Sequence, residues 1–277
     1  NRGLALIAVN YSGGLGNTLL QYSMGRVLAD RMGFKLMAHA IDGFVGTGED
    51  VDGENISHGT PIRLTNQVVD MDQMTVVKDS PVILGPMGFF QRYEYYKPYK
   101  EKIRQWLRTE YYDVGQSEND AVIHLRLGDC ILGDLSEHPY VMPPEYFKTA
   151  LGLMSFDSLY ICSDPETLEH PMFHNYMESF KEYNPKLIGG TTIEDFNAIK
   201  SFNKIIMSQS TFSWCAAFLS EATEIFVPVP MGEHWGNEWS IESPGVALFV
   251  DDEERYKYIK QYDNEWRLVN LQDIEER

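Results

Sequence analysis

Cysteine is scarce. Cys130, Cys162 and Cys215 are the only three in 277 residues, too few and too scattered for a disulfide framework or a Cys-x-x-Cys metal knuckle. Buried, reduced thiols are the expectation, which favours a reducing compartment and a soluble, cytoplasmic protein. Long apolar runs are missing too. No stretch approaches the roughly 18 residues of a membrane span, and residues 4–9 (LALIAV) are too short for a span or a secretory leader. Positive charge is the third shortage: Lys plus Arg number 23 against 41 Asp plus Glu, a net of −18. A field of that sign excludes a general nucleic-acid or anionic-membrane surface. Any anionic ligand must then be met by a local concentration of donors. The sequence opens on Asn1 rather than Met, as expected of a chain from which an upstream piece has been removed.

What is present is a globular composition, 43% apolar, 13% aromatic and 23% charged, unlike a disordered or fibrous chain. At roughly 150 residues per domain, the length fits two domains or one large one. Residues 4–9 form an unbroken apolar run entering Gly13-Gly14-Leu15-Gly16, which predicts a buried strand feeding a glycine-rich turn. Asn17 is placed to cap the next helix; Leu20, Met24, Val27, Leu28 and Met32 recur at helical spacing, and Gly33 closes it. Residues 42–61, rich in Gly, Asp and Glu and without period, read as an exposed loop whose length, beyond about 12 residues, hints at function. A second strand begins at 82–84, residues 96–107 carry a helical pattern, and the polar stretch 114–120 is the candidate domain boundary. Beyond it, strands at 121–127, 158–162, 204–207 and 224–229 alternate with helices at 144–154 and 212–220 and with helical segments after 162. Such alternation implies an α/β protein with parallel sheets and ligands at the carboxyl ends of the strands.

Three segments carry chemistry. The glycine turn offers close backbone approach and unpaired helix-start N–H groups to an anion, yet no Gly-Lys-Ser/Thr follows and Leu19 stands where a dinucleotide fingerprint needs Gly or Ala. A merely tight strand-to-helix turn explains it equally. In residues 122–127, strand alternation puts Val122, His124 and Arg126 on one face and Ile123, Leu125 and Leu127 on the other. Arg126 suits bidentate phosphate recognition and His124 beside it can donate to a phosphate, base or sugar; the bland alternative is a structural Arg126–Asp129 pair. Ser208-Gln209-Ser210-Thr211-Phe212-Ser213 lies between a strand and an apolar helix, where hydroxyls and successive N–H groups make either an anion nest or an ordinary N-cap. Two Asp-x-Asp triplets, Asp50/Asp52 and Asp70/Asp72, are weighed as holders of a divalent ion, but 41 acidic residues produce such triplets by chance. The sequons at Asn10 and Asn55 are discounted.

Together these segments resemble the α-1,2-fucosyltransferases of glycosyltransferase family 11. GGLGNTLLQYS at 13–23 is similar to the family's GGLGNQLFQYA-like opening, and GFFQRYEYY at 88–96 to its second block. HLRLGD at 124–129 matches the H-x-R-R-x-D signature, PEYFKTA at 144–150 and CSD at 162–164 match two further elements, and SQSTFSWCAAFL at 208–219 matches the last block. Six matches stand in order. Four departures accompany them: Leu127 replaces the second arginine, Cys130 an aromatic, Cys215 the second tryptophan and Thr18 a glutamine.

The resemblance implies the GT-B architecture, two Rossmann-like domains facing across a cleft: residues 1–116 as an N-terminal domain with the glycine loop on the acceptor side, and 117–277 as the nucleotide-sugar domain, its last helix packing back on the first. It implies metal-independent inverting transfer of L-fucose from a GDP-fucose donor to a glycan acceptor, with no metal cofactor. By position it assigns Arg126 to the pyrophosphate, His124 to the guanine or ribose, Asp195 to the guanine, the Ser210, Thr211 and Phe212 amides to the β-phosphate, and Gly14, Gly16 and Asn17 to the approach from the other domain. Asp129 is the candidate base, alongside a carboxylate of the 42–61 loop. Rival expectations are a non-catalytic nucleotide-sugar or glycan binder, a transferase of another GDP-sugar, and a metal-dependent enzyme using Asp70 and Asp72.

Overall fold

The computed structural model describes residues 5–49, 59–65, 68–110, 112–132, 141–229 and 247–275. The chain divides into two compact units, Asn1–Glu110 with Ser243–Leu248, and Tyr111–Glu242 with Phe249–Arg277. Among the described residues no helix is long and apolar enough to cross a membrane.

The first unit is a four-stranded parallel sheet. Its strands are β1 (Leu6–Val9), β2 (Lys35–Met37), β3 (Ile62–Leu64) and β4 (Val82–Leu84), ordered β2-β1-β4-β3. The apolar run 6–9 is buried throughout, as a strand covered on both faces requires. Helix α1 (Leu15–Met32) follows the glycine turn and ends on Gly33 at φ 67°, a left-handed cap that glycine adopts without strain. Its start differs from the sequence expectation: Gly14, not Asn17, is the N-cap, and no side chain caps the helix. Asn17 already lies inside the first turn, and its carboxamide oxygen accepts from Gln91 Nε2 at 2.8 Å instead. Gly25 lets α1 lie close on the sheet, since a Cβ there would come within 2.5 Å of a Val9 methyl. Short helices α2 (Met71–Met74), α3 (Tyr93–Tyr96) and α4 (Lys100–Trp106) complete the unit; the expected helix at 96–107 is interrupted by a 3-10 turn, Lys97–Tyr99, containing Pro98. Ala247 joins this unit by pairing with the chain at Gln91 and Tyr93.

The second unit is a seven-stranded sheet of β5 (Ala121–Leu125), β6 (Leu159–Ser163), β7 (Lys186–Ile188), β8 (Lys204–Ile206), β9 (Glu224–Pro228), β10 (Tyr256–Tyr262) and β11 (Glu265–Val269). Only the β10–β11 hairpin is antiparallel. The helices are α5 (Gly128–Ile131), α6 (Pro144–Leu153), α7 (Pro171–Ser179), α8 (Thr192–Ser201), α9 (Thr211–Phe218) and α10 (Leu271–Glu275). The spatial order β11-β10-β9-β8-β5-β6-β7 makes β5 the centre: the chain winds outward through β6 and β7, returns, and winds outward on the other side through β8 and β9. That is the doubly wound order of nucleotide-binding sheets, with its switch point between β5 and β8.

Alternation along β5 sorts the faces as expected. Ile123, Leu125 and Leu127 enter one buried cluster with Tyr146 and Phe147 of α6 and Tyr176 of α7. The opposite face meets α8 and α9, where the His124 ring stands 5.3 Å from Phe212 and Tyr160 5.2 Å from Phe202. Leu127, the replacement for the signature's second arginine, is fully buried on the core face.

Candidate active site

Beyond the last rungs of the central strands the chain is stitched by side chains. Ser208 is buried; its Oγ donates to the His124 carbonyl and accepts from the Arg126 amide at 3.2 Å, carrying the β5–β8 junction past its last ladder bonds. On the other side of β5, Ser163 Oγ donates to the Leu125 carbonyl at 2.9 Å. These bonds present Arg126 at the switch point, where ligands of such sheets bind.

The Arg126 guanidinium is held on two edges. Nε and Nη2 donate to the two oxygens of Asp129 at 3.2 and 2.7 Å, and Nη1 donates to the Gln209 carbonyl at 2.8 Å. The structural pair is therefore made, and it also fixes the direction of the guanidinium. Partial burial pushes the Asp129 carboxyl up, but the hydrogen bond and charge of Arg126 outweigh it and hold the group below the usual carboxylate range. A carboxyl so held is a poor proton acceptor.

His124 is buried and its pKa falls to about 3, first through burial and then through the charge of Arg126, so the imidazole is neutral. Among the described residues its Nδ1 has no hydrogen-bond partner, and neither does the carboxamide of Gln209. The α9 start realises the ordinary cap: Ser210 Oγ accepts from the Phe212 amide at 3.2 Å. That occupies one of the three amides expected to face a phosphate; Thr211 opens the helix, and the dipole of α9 adds positive potential there. The far end is closed by Arg255, whose Nη1 donates to the Ser220 and Ala222 carbonyls at 2.8 and 3.1 Å.

Asp195 sits in the first turn of α8, its Oδ1 accepting from the Gly190 amide at 2.7 Å. Burial raises its pKa to about 6; the Gly190 bond opposes this and the neighbouring Asp164 charge adds to it. Asp164 in turn accepts from the Gly128 amide at 2.9 Å. Arg126, Asp129, His124, Asp195, Ser210, Thr211 and Phe212 thus belong to one unit and to the carboxyl edge of one sheet.

Gly14, Gly16 and Asn17 lie in the first unit. Gly14 is exposed, and a Cβ built on it meets nothing within 4 Å. Gly16 is buried inside α1, so its backbone is not an open turn. Gln21 donates to the Gly88 carbonyl at 2.8 Å and Gln91 to Asn17, which physically joins the two glycine-containing blocks, 13–23 and 88–96.

The Asp70/Asp72 triplet has other work: Asp70 Oδ1 caps α2 by accepting from the Asp72 and Gln73 amides at 3.0 Å, while Asp72 pairs with Arg31 on the surface. Asp50, Asp52, the Asn55 sequon and residues 50–58 of the long loop lie outside the described residues. All three cysteines are buried and free; burial pushes the Cys130 thiol up to about 12. Sequence reasoning gave Asp164 no role and counted Ser208 and Gln209 only within the Ser/Thr turn, although all three fall inside quoted motifs.

No family model and no curated protein matches this sequence. Solved structures do. An arginine-to-lysine mutant of Arabidopsis thaliana FUT1 in complex with GDP superposes at a TM-score of 0.51 with 13% identity, covering 80% of this chain and 70% of that one. POFUT1 in complex with GDP matches at 0.47 with 11% identity over 79% of this chain and 96% of that chain, and POFUT1 with GDP-fucose at 0.44 with 12% identity over 80% and 95%. The chain is an α/β protein with the GT-B type of fold found in the Arabidopsis enzyme.

Proposed function

We propose that this chain is an inverting, metal-independent glycosyltransferase that moves L-fucose from GDP-fucose to a glycan hydroxyl, in α-1,2 linkage to a galactose-type acceptor. The observation that supports it is the Arg126 guanidinium, oriented at the switch point by Asp129 and the Gln209 carbonyl beside the start of α9. It occurs in a fold shared with a protein whose structure holds GDP.

In this reading Arg126 and the first turn of α9 receive the pyrophosphate. As the glycosidic C–O bond breaks, negative charge grows on the β-phosphate, and donors fixed in advance stabilise it without reorganising. The sugar carbon passes through an oxocarbenium-like state, and the acceptor hydroxyl adds from the face opposite the nucleotide, which inverts the centre. Neutral His124, packed on Phe212, lies toward the nucleoside, and the second oxygen of Asp195 accepts from guanine N–H groups. Asp129 is a positioning residue for Arg126 and not the base. Gly14, Gly16 and Asn17 belong to the unit assigned to the acceptor.

Turnover of GDP-fucose in excess chelator tests the reading. Wild type is expected to keep its rate, and Arg126→Ala to lose about 100-fold or more in kcat, the scale of one lost transition-state donor. A strict requirement for Mn²⁺, or indifference to the substitution, sinks it.

A further inference from the structure

The ladder register locates a carboxylate that the proposed chemistry does not yet use. His124 stands opposite Cys162 and Leu125 opposite Ser163 in the β5–β6 pair. One residue past that last rung stand Asp164 and Arg126, each just beyond the carboxyl end of its strand. On the other flank Ile123 pairs with Ile206, and past the end of β8 the Gln209 carbonyl accepts from Arg126 Nη1 at 2.8 Å. Asp164, Arg126 and Gln209 thus stand in a row past the ends of three neighbouring strands.

Asp164 is half-buried, with a fixed oxygen and an open one. Oδ2 accepts from the Gly128 amide, and the approach depends on a bare Cα: a Cβ on Gly128 would come within 2.6 Å of Oδ2 and 2.8 Å of Cγ. Oδ1 takes no bond among the described residues. Alternation from Cys162 puts Asp164 on the His124 face, away from the apolar cluster. Its topological place is the end of the second strand of a doubly wound unit, next to the central strand whose turn holds the phosphate donors. A carboxylate at that strand end meets the hydroxyls of the sugar that carries the α-phosphate.

We infer that Asp164 accepts hydrogen bonds from the vicinal 2′- and 3′-hydroxyls of the nucleotide's ribose. This rests on the GDP-sugar site proposed above. Gly128 is then the residue that makes room for the carboxylate, and the Gly128 amide holds one oxygen so that the other faces the diol.

Calorimetric titration of the full chain with GDP and with 2′,3′-dideoxy-GDP, in wild type and Asp164→Asn, decides it. GDP carries no transferred sugar, so any diol effect belongs to the ribose. Wild type is expected to bind GDP on the order of tenfold or more tightly than the dideoxy compound, as charge-assisted bonds provide. In Asp164→Asn the oxygen turns to Gly128 and the amide presents donors; the preference is expected to shrink to about threefold or less, with affinity for the dideoxy compound unchanged. If thermal unfolding shows that variant to be misfolded, Asp164→Ser replaces it. Wild type that binds both alike, a variant that keeps the full preference, or an Asp164 effect seen only with GDP-fucose overturns the inference alone. Wild type that binds no GDP overturns the nucleotide reading and the inference with it.

Discussion

Ser208 and Arg126 are joined through the main chain of one and the side chain of the other: the Ser208 hydroxyl accepts the Arg126 amide at 3.2 Å while donating to the carbonyl of His124. A buried hydroxyl with both functions filled extends the sheet where its own ladder has ended. Ser208→Ala removes both bonds, and a buried polar group that loses such a partner costs about 1–3 kcal/mol. Denaturant titration is expected to show a loss in that range, and an unchanged midpoint contradicts the role.

Arg126→Lys tests whether charge or shape matters. An ammonium keeps the cation but not the planar fork that meets Asp129 and Gln209 together. Lysine is expected to restore little of the activity lost in Arg126→Ala, within about tenfold of it, because a flexible point charge is not oriented beforehand. Full rescue by lysine assigns the effect to charge alone.

Buried His124 and half-buried Asp195 give opposite pH signatures. Asp195 has its folded-state pKa raised to about 6, so between the ordinary carboxyl value and about 6 the folded state binds the extra proton, and stability falls as pH rises through that window. His124 is depressed to about 3; its contribution is present above the unfolded value and is lost as pH falls toward 3. Asp195→Asn is therefore expected to gain stability relative to wild type at pH 7.5 and to match it near pH 4. Parallel denaturation curves at the two pH values would refute this.

Glycines separate structural from functional need. Gly85 has φ 80°, and a Cβ there would approach the Asn10 carbonyl oxygen to 2.3 Å; Gly85→Ala is expected to cost about 3 kcal/mol or more, through backbone strain and a backbone clash. Gly14 has φ −76° and open space before it, so Gly14→Ala should cost no more than about 1 kcal/mol, the scale of a helix cap that alanine fills poorly. Any loss of turnover in Gly14→Ala then reports a ligand at that turn.

The buried strands were legible because a strand covered on both faces reads as an apolar run: residues 6–9, 121–125, 159–163 and 224–228 all did. The three-residue strands β2, β3 and β7 were not, since each lies on a sheet edge with at least one exposed residue and is too short to show a period. The β10–β11 hairpin drew no expectation, although Tyr256 and Tyr258 alternate with lysine in strand fashion, and the expected last helix follows it as α10. Arg126, His124 and the α9 turn were singled out from residue type and spacing, and the fold brings them to one sheet edge. Asp164 was not assigned a role, because its place depends on which strand neighbours β5, a non-local fact. Asn17 was taken for a cap because Asn is a good one; the cap lies three residues earlier, at Gly14, and Asn17 bonds to Gln91.

The bond between Ser208 and the Arg126 backbone bears on motion as well as position. An amide tied to a fully enclosed hydroxyl exchanges its hydrogen with solvent only when the sheet itself opens. The turn bearing Arg126 is therefore expected to breathe with the central strands and not as an independent flap. Deuterium uptake there should be as slow as in β5, leaving any rapid rearrangement during turnover to segments far from this row.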